Sequence, residues 1–455
     1  MVAAPAIPSA SALSFMSLMS HDNPAGRPRL MQIGRRYMLP VACAAVMLGV
    51  FATTGWARDV YSWSSNAAVA PFDTSRQQGE TALVTDSSGR VWLSFIDAEY
   101  KQINGNWIAF PRALRLFVSA DAGRSFSAQP NLSTDSAGDQ ALAADLSGRV
   151  YASYVNYFTK PRRQQIVLRR LDAAQDLNAT CLPWDATTKH DQSNVHIGRD
   201  GALHVLGFDI QSPPNPEGAL LYARSTDGGK TCVGQRRLVG VGQLPQILDT
   251  QFGLLIAGPE GYYTSADRLA FSPRTARRFG AQLTRLAMSP DRRIVFAVGD
   301  SAGGGLQIQT SADGGKTWRT RRVDDAARAT AWRYPAVHVD PKGRVHVAWM
   351  DDRAGSGAIY HAYSDDAGAT FSPNTRLSDK TFAFPSSAPP PPPATQNGTW
   401  VGDYLSLTTV GDFVLVAWSD QRAGTPKSVV VIAIGNPRSQ PPPPPAITPL
   451  PSARP

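Results

Sequence analysis

Short apolar runs alternate with clusters of glycine, aspartate and serine along most of this chain, and no long stretch carries apolar residues at helical spacing. That pattern predicts strands joined by tight turns rather than amphipathic helices. One run recurs. It reads GRVWLSFID from Gly89 to Asp97, GRVYASYVN from Gly148 to Asn156, and GALHVLGFD from Gly201 to Asp209. It returns as RRIVFAVGD from Arg292 to Asp300, GRVHVAWMD from Gly343 to Asp351, and DFVLVAWSD from Asp412 to Asp420. A weaker member, FGLLIAGPE, spans Phe252 to Glu260. Each copy is a turn, an apolar strand, and a carboxylate or amide in ninth place. Successive copies start 40 to 69 residues apart, close to the ~50-residue period of a four-stranded propeller blade. An all-β propeller of four-stranded blades is predicted, with seven blades if the weak unit counts and six if it does not.

A second motif sits late in each complete unit, where a hairpin joins the outer strands. It reads SADAGRSF (Ser119 to Phe126), STDGGKTC (Ser225 to Cys232), SADGGKTW (Ser311 to Trp318) and SDDAGATF (Ser364 to Phe371), with TSADRLAF (Thr264 to Phe271) a degenerate fifth copy. Aspartate in third place accepts backbone N–H groups of its own turn, glycine in fifth place supplies a positive φ, and the closing aromatic anchors the turn on its blade. The propeller is predicted over 58–436. The proline run at 386–393 is read as an extended surface loop inside the last interval, and 437–455 as a proline-rich tail.

Composition adds a location. Of the 455 residues, 1–57 read as an export segment: Arg35-Arg36 precede an uncharged run from Tyr37 to Ala57, and Gly55 and Ala57 offer small residues to a signal peptidase. Gly34 to Leu39 is similar to a twin-arginine signal, and an uncleaved membrane anchor is the alternative. The formal charge is +9; without 1–57, 41 basic and 35 acidic residues leave +6. These charges are dispersed, so no stripe tracks a phosphate backbone and nucleic acid is not an expected partner. A secreted or periplasmic monomer is expected. Cys181 and Cys232 either pair in an oxidising compartment or leave Cys232 as a small buried side chain in an aromatic's place. No phosphate loop, H-E-x-x-H, nucleophile elbow or histidine ligand spacing is present, so neither metal nor cofactor is expected.

The turn S-x-D-x-G-x-T-W resembles the Asp box, or bacterial neuraminidase repeat, of sialidases and related β-propellers. The resemblance implies that the boxes hold blades together on the side away from an active site. Chemistry is then expected on the other face, where inner strands begin and second strands end. There the ninth-place residues Asp97, Asn156, Asp209, Glu260, Asp300, Asp351 and Asp420 form either a ligand-binding ring or, as a role repeated in every blade suggests, a repeated structural hydrogen bond. Departures from symmetry carry more information. Arg353 and Arg422 follow Asp351 and Asp420 by two places, either to share an anion through their planar forks or to close their own loops as Asp–Arg pairs. The stretches leading into the inner strands add Glu80, Asp139, Asp191, Arg333-Tyr334 and Trp400 to Leu405.

The sialidase site uses three arginines on the substrate carboxylate, a tyrosine nucleophile helped by a glutamate, and an aspartate acid/base. Carried over, the resemblance implies Tyr404, Asp403 and Glu80 as catalytic residues. It implies Arg353, Arg422, Arg333 and Arg112 as substrate-binding, with Asp351 and Asp420 beside them. The family's early Arg-Ile-Pro motif is absent, and the chain has only four glutamates, Glu80, Glu99, Glu217 and Glu260. The expected function is a sialidase-like exo-glycosidase cleaving terminal sialic acid or another anionic sugar. The alternative is a non-catalytic propeller that binds glycan or protein at its channel face.

Overall fold

The computed structural model describes residues 60–70, 76–103, 106–133, 136–159, 162–172, 175–177, 182, 190–210, 218–239, 245–258, 261–274, 285–300, 305–327, 332–382, 402, 404–422 and 428–438. The described residues form seven antiparallel sheets and no helix. Blade one is Arg76–Thr85, Val91–Ile103, Asn106–Ser119 and Ser127–Gln129, and blade two is Ser136–Ala144, Val150–Thr159, Arg162–Arg170 and Gln175–Leu177. Blade three is His190–Ile197, Leu203–Asp209, Ala219–Ser225 and Val233–Leu238. Blade four is Gln246–Thr250, Gly253–Ala257, Tyr262–Ser265 and Ser272–Arg274. Blade five is Arg285–Met288, Val295–Asp300, Leu306–Ser311 and Arg319–Arg322, and blade six is Trp332–Val339, Val345–Asp351, Ala358–Ser364 and Thr375–Arg376.

Blade seven takes Ser406–Val410, Phe413–Asp420 and Val429–Pro437 from the end of the propeller, and its outer place is filled from the beginning. Tyr61–Trp63 and Ala67–Ala68 both pair with Val429–Pro437. The ring is therefore closed by strands from opposite ends of the sequence, which the repeat alone did not announce. The weak unit is a true blade, and its second strand is buried throughout. Seven blades is the answer.

The recurrent apolar run is the second strand, buried from end to end in Leu203–Asp209 and Val345–Asp351. Both faces of such a strand meet a neighbouring blade, so continuous apolar character replaces alternation. The core accordingly lies between blades. Phe296, Val298 and Ile308 of blade five pack with Val345, Val347, Trp349 and Tyr360 of blade six, and Trp418 of blade seven is 1% exposed.

The eight-residue turns sit between third and outer strands, as expected. Asp313 accepts the Thr317 backbone N–H at 2.9 Å, the Thr317 hydroxyl at 2.6 Å and the Ser311 hydroxyl at 2.8 Å. The same set recurs at Asp121, Asp227 and Asp366. Bonds from Ser125 outweigh burial and hold the Asp121 carboxyl down at about 2. Fifth-place glycine has the predicted positive φ, +88° at Gly315, and a Cβ there would lie 2.9 Å from Leu255 of blade four. Tyr262 of blade four donates to the Gly315 carbonyl at 2.7 Å. The turn thus hooks one blade to the previous one. Cys232 is disulfide-bonded, and its partner lies outside the described residues.

Candidate functional site

Inner strands of four blades carry the same irregularity at the face away from the boxes. Register shifts fall between Gly79 and Ala82, Gly138 and Ala141, Asp191 and Asn194, and Arg333 and Ala336. Within each bulge one non-glycine residue has positive φ: Glu80 (55°), Asp139 (52°), Gln192 (49°) and Tyr334 (54°). Such backbone costs about 1–3 kcal/mol per residue and persists only where its surroundings over-determine it; it clusters at functional sites.

The surroundings are supplied by the next blade. Gln140 Nε2 donates to the Glu80 carbonyl, and Ser193 Oγ donates to the Asp139 carbonyl at 2.6 Å. The seam between blades seven and one has a network of its own. Thr81 Oγ1 donates to the Ala417 carbonyl at 2.9 Å and accepts from Ser406 Oγ at 2.8 Å. Ser428 Oγ donates to the Gln78 carbonyl at 2.7 Å, and Gln78 Oε1 accepts the Val430 N–H at 3.0 Å. Gly402, with φ +86°, lies against the Glu80 backbone so closely that a Cβ would collide with it. Only glycine satisfies both demands.

This seam brings two of the sequence candidates together. Tyr404, 8% exposed, donates its hydroxyl to Glu80 Oε2 at 3.3 Å, and Glu80 is 3% exposed. The Arg285 guanidinium stands over the Tyr404 ring, 5.2 Å from its centroid, within cation–π range. Around them is a cavity of about 270 Å³ lined by Thr81, Asp139, Gln140, Gln192, Asn194, Gln246, Arg285, Tyr404 and Ser406 among others. Amides and hydroxyls dominate its polar lining, with Arg285 and Asp139 the charged residues among those lining it. Tyr157 reaches Asp139 Oδ2 with its hydroxyl at 3.4 Å. Among the described residues no group of histidine, cysteine and carboxylate side chains is placed to hold a metal.

Other candidates lie elsewhere. Arg353 forms bonds of 2.7 Å to Asp351 and 2.7 Å to Asp325 and stacks 4.3 Å from the Tyr360 ring centroid. Arg422 does the same with Asp420 at 2.7 Å and Asp379 at 3.0 Å. Burial works against each guanidinium's charge, but the bonds to Asp351 and Asp420 outweigh it and raise both above the ordinary arginine value. Trp349 and Trp418 donate indole N–H groups to the same two aspartates, at 3.0 and 3.1 Å. Arg333 sits on the inner strand of blade six, opposite Met350. Asp403 and the side chain of Arg112 lie outside the described residues. Of the ninth-place ring, Asn156 accepts from Ser133 at 3.0 Å and Asp209 pairs with Arg237 at 2.8 Å, so these positions serve nearby loops and strands.

Sequence reasoning passed over Arg285 and Gln140. Arg285 pairs with Val298, seventh in the second-strand motif RRIVFAVGD, which is the level of the bulges in the other blades. Counting back from that motif to the channel mouth would have found it.

Solved structures resemble this one. A protein of unknown function from Dyadobacter fermentans is 13% identical, with a TM-score of 0.52 over 84% of this chain and 100% of that one. The Hadza microbial sialidase Hz136 is 15% identical (TM-score 0.42, 66% of each chain). The NanB sialidase of Streptococcus pneumoniae is 12% identical (TM-score 0.41, 82% of this chain and 70% of that one). At 13% identity the first likeness speaks to fold alone, and no argument rests on the other two. No protein-family model and no curated protein matches the chain.

Proposed function

We propose that this protein is a sialidase-like exo-glycosidase that acts on a terminal anionic sugar at the channel mouth. One observation carries the reading: the Tyr404 hydroxyl on the Glu80 carboxylate, 3.3 Å apart and buried beside the cavity. A phenol is a weak nucleophile until a neighbouring base takes its proton, and Glu80 is in reach to do so. A neutral attacking group suits a sugar with a carboxylate at its anomeric carbon, because a carboxylate nucleophile would be repelled. As Tyr404 Oη bonds to the anomeric carbon, its proton passes to Glu80 and the glycosidic C–O bond breaks. The departing oxygen then takes a proton from a cavity carboxyl, for which Asp139 is the candidate. Arg285 supplies positive charge next to Tyr404, for the substrate carboxylate and the developing phenolate alike. The export segment expected at 1–57 supports a protein that meets glycans outside the cytoplasm.

A second reading has its own support. Arg353 and Arg422 have their donors committed to Asp351, Asp325, Asp420 and Asp379, which favours a mouth that binds a glycan without cleaving it. Assay of the full chain on a fluorogenic sialoside and a panel of other anionic glycosides, beside Tyr404→Phe, separates the two. Turnover lost in the variant supports the enzyme. Absence of turnover on every glycoside, with binding retained, leaves the binding module.

A further inference from the structure

At the second position of the bulges the blades present Thr81, Gln140, Ser193 and Pro335, and three of these are polar. Two of the three are satisfied. Thr81 donates to Ala417 and accepts from Ser406. Ser193 donates to Asp139 and accepts from Ser153 at 3.1 Å. Gln140 differs. Its Nε2 donates to the Glu80 carbonyl and reaches the Ser94 carbonyl at 3.4 Å, which uses its donors. Its Oε1 has no partner among the described residues, although the side chain is 3% exposed and lines the cavity. Exchanging the two amide atoms is no remedy, because the oxygen would then face two carbonyl oxygens. A buried acceptor left unpaired is costly, and a ligand that supplies the missing donor regains that cost on binding.

We propose that Gln140 is the specificity-determining residue through which the channel reads a hydrogen-bond donor on the bound sugar, a hydroxyl or an amide N–H, and couples that contact to Glu80. The inference rests on the reading that an anionic sugar occupies this mouth. It also sets how the sugar lies. The anionic group is repelled by the bare lone pairs of Gln140 in blade two and goes to Arg285 in blade five, so a neutral, donor-bearing edge faces blade two. A ligand contact on Oε1 polarises the amide and strengthens its N–H bond to the Glu80 carbonyl, which holds the strained backbone under the Tyr404 contact.

The test is calorimetric titration of the full chain with N-acetylneuraminic acid, each of its single deoxy derivatives and the derivative lacking the acetamido group. For the wild-type protein one derivative should bind at least about tenfold more weakly than the parent. For Gln140→Leu the parent should weaken to the level of that derivative and the difference between them should vanish, a coupling that a merely structural role does not produce. Equal binding of every derivative by the wild-type protein overturns the assignment without any variant. So does a folded Gln140→Leu that discriminates as before. Should Gln140→Leu fail to fold, Gln140→Met replaces it: an uncharged side chain of similar length with no amide oxygen, for which discrimination is again expected to vanish. Discrimination that persists there overturns the assignment. If the wild-type protein binds none of these sugars or the anionic glycosides of the activity panel, the reading of the site fails and this inference fails with it.

Discussion

At the box end of the blades, Asp121, Asp227, Asp313 and Asp366 spend their oxygens within their own turns, and the fifth-place glycine of each turn takes the positive φ. At the mouth, positive φ falls on Glu80, Asp139, Gln192 and Tyr334, and the carbonyls of Glu80 and Asp139 are held from the following blade by Gln140 and Ser193. The box end carries non-glycine residues at positive φ too, Ala122 and Ala367 in fourth place, but each turn is held by its own hydrogen bonds and repeats faithfully. The mouth is held from blade to blade instead, and its side chains differ from one blade to the next. A propeller can vary its chemistry at one end because the other end carries the repeat.

Four experiments sharpen that contrast, from the largest expected effect to the smallest. Tyr404→Phe should lower kcat on a cleaved glycoside by about 10²–10⁴-fold, with a melting temperature close to the wild type, because one hydroxyl on a surviving ring is all that is removed. A melting shift of the size seen for a core truncation would show that the Tyr404–Glu80 contact is structural.

Acid should attack the box half first. Burial drives His204 and His338 down to about 4, against the pull of Asp249 and Asp200 on the first and Asp340 on the second. Below about pH 6.5 the unfolded chain takes these protons while the folded chain does not, so stability falls with pH until about 4. Each histidine contributes about 3 kcal/mol over that window. Among the described residues no histidine lines the mouth cavity. Chemical denaturation at stepped pH should therefore show a slope that His338→Gln reduces, while sugar affinity at pH 5 and 6.5 stays equal.

The same small change can be made at both ends. Gly402→Ala and Gly315→Ala each force an alanine into positive φ, and each Cβ meets a neighbour, the Glu80 backbone in one case and Leu255 in the other. Both should lose about 1–3 kcal/mol of stability. Only Gly402→Ala should weaken sugar binding; equal weakening by both would mean that the two ends are coupled. Asp313→Ala should cost about 1 kcal/mol, measured by denaturant unfolding, and leave binding untouched.

Much of this was legible. The apolar run that recurs from Gly89 to Asp420 is visible because a strand buried on both faces needs continuous apolar side chains, and the box is visible because its turn needs aspartate and glycine at fixed places. A neighbouring turn went unread. Asp86, Asp145 and Asp340 each accept the backbone N–H two and four residues on, and at Asp86 also the side chains of Arg90 and Trp92. The glycine and arginine of that turn stood in the repeat, but the aspartate lay three residues ahead of its first position.

By itself the sequence determined the four-stranded blade and the order of the blades along the chain, because those follow from local periodicity and turn chemistry, and it left their number at six or seven. Tyr404 and Glu80 were both named from the chain, but 324 residues separate them, and only closing the ring made them partners. Arg353 and Arg422 likewise stood open between an anion site and a pair of loop closures, and the distances to Asp351 and Asp420 show where their donors are spent. Gln140 has no motif, and Arg285 has only its register against Val298 of the second-strand run. Their place at the mouth depends on which blade stands beside which, and contacts between blades are a property of the closed ring rather than of any stretch of it.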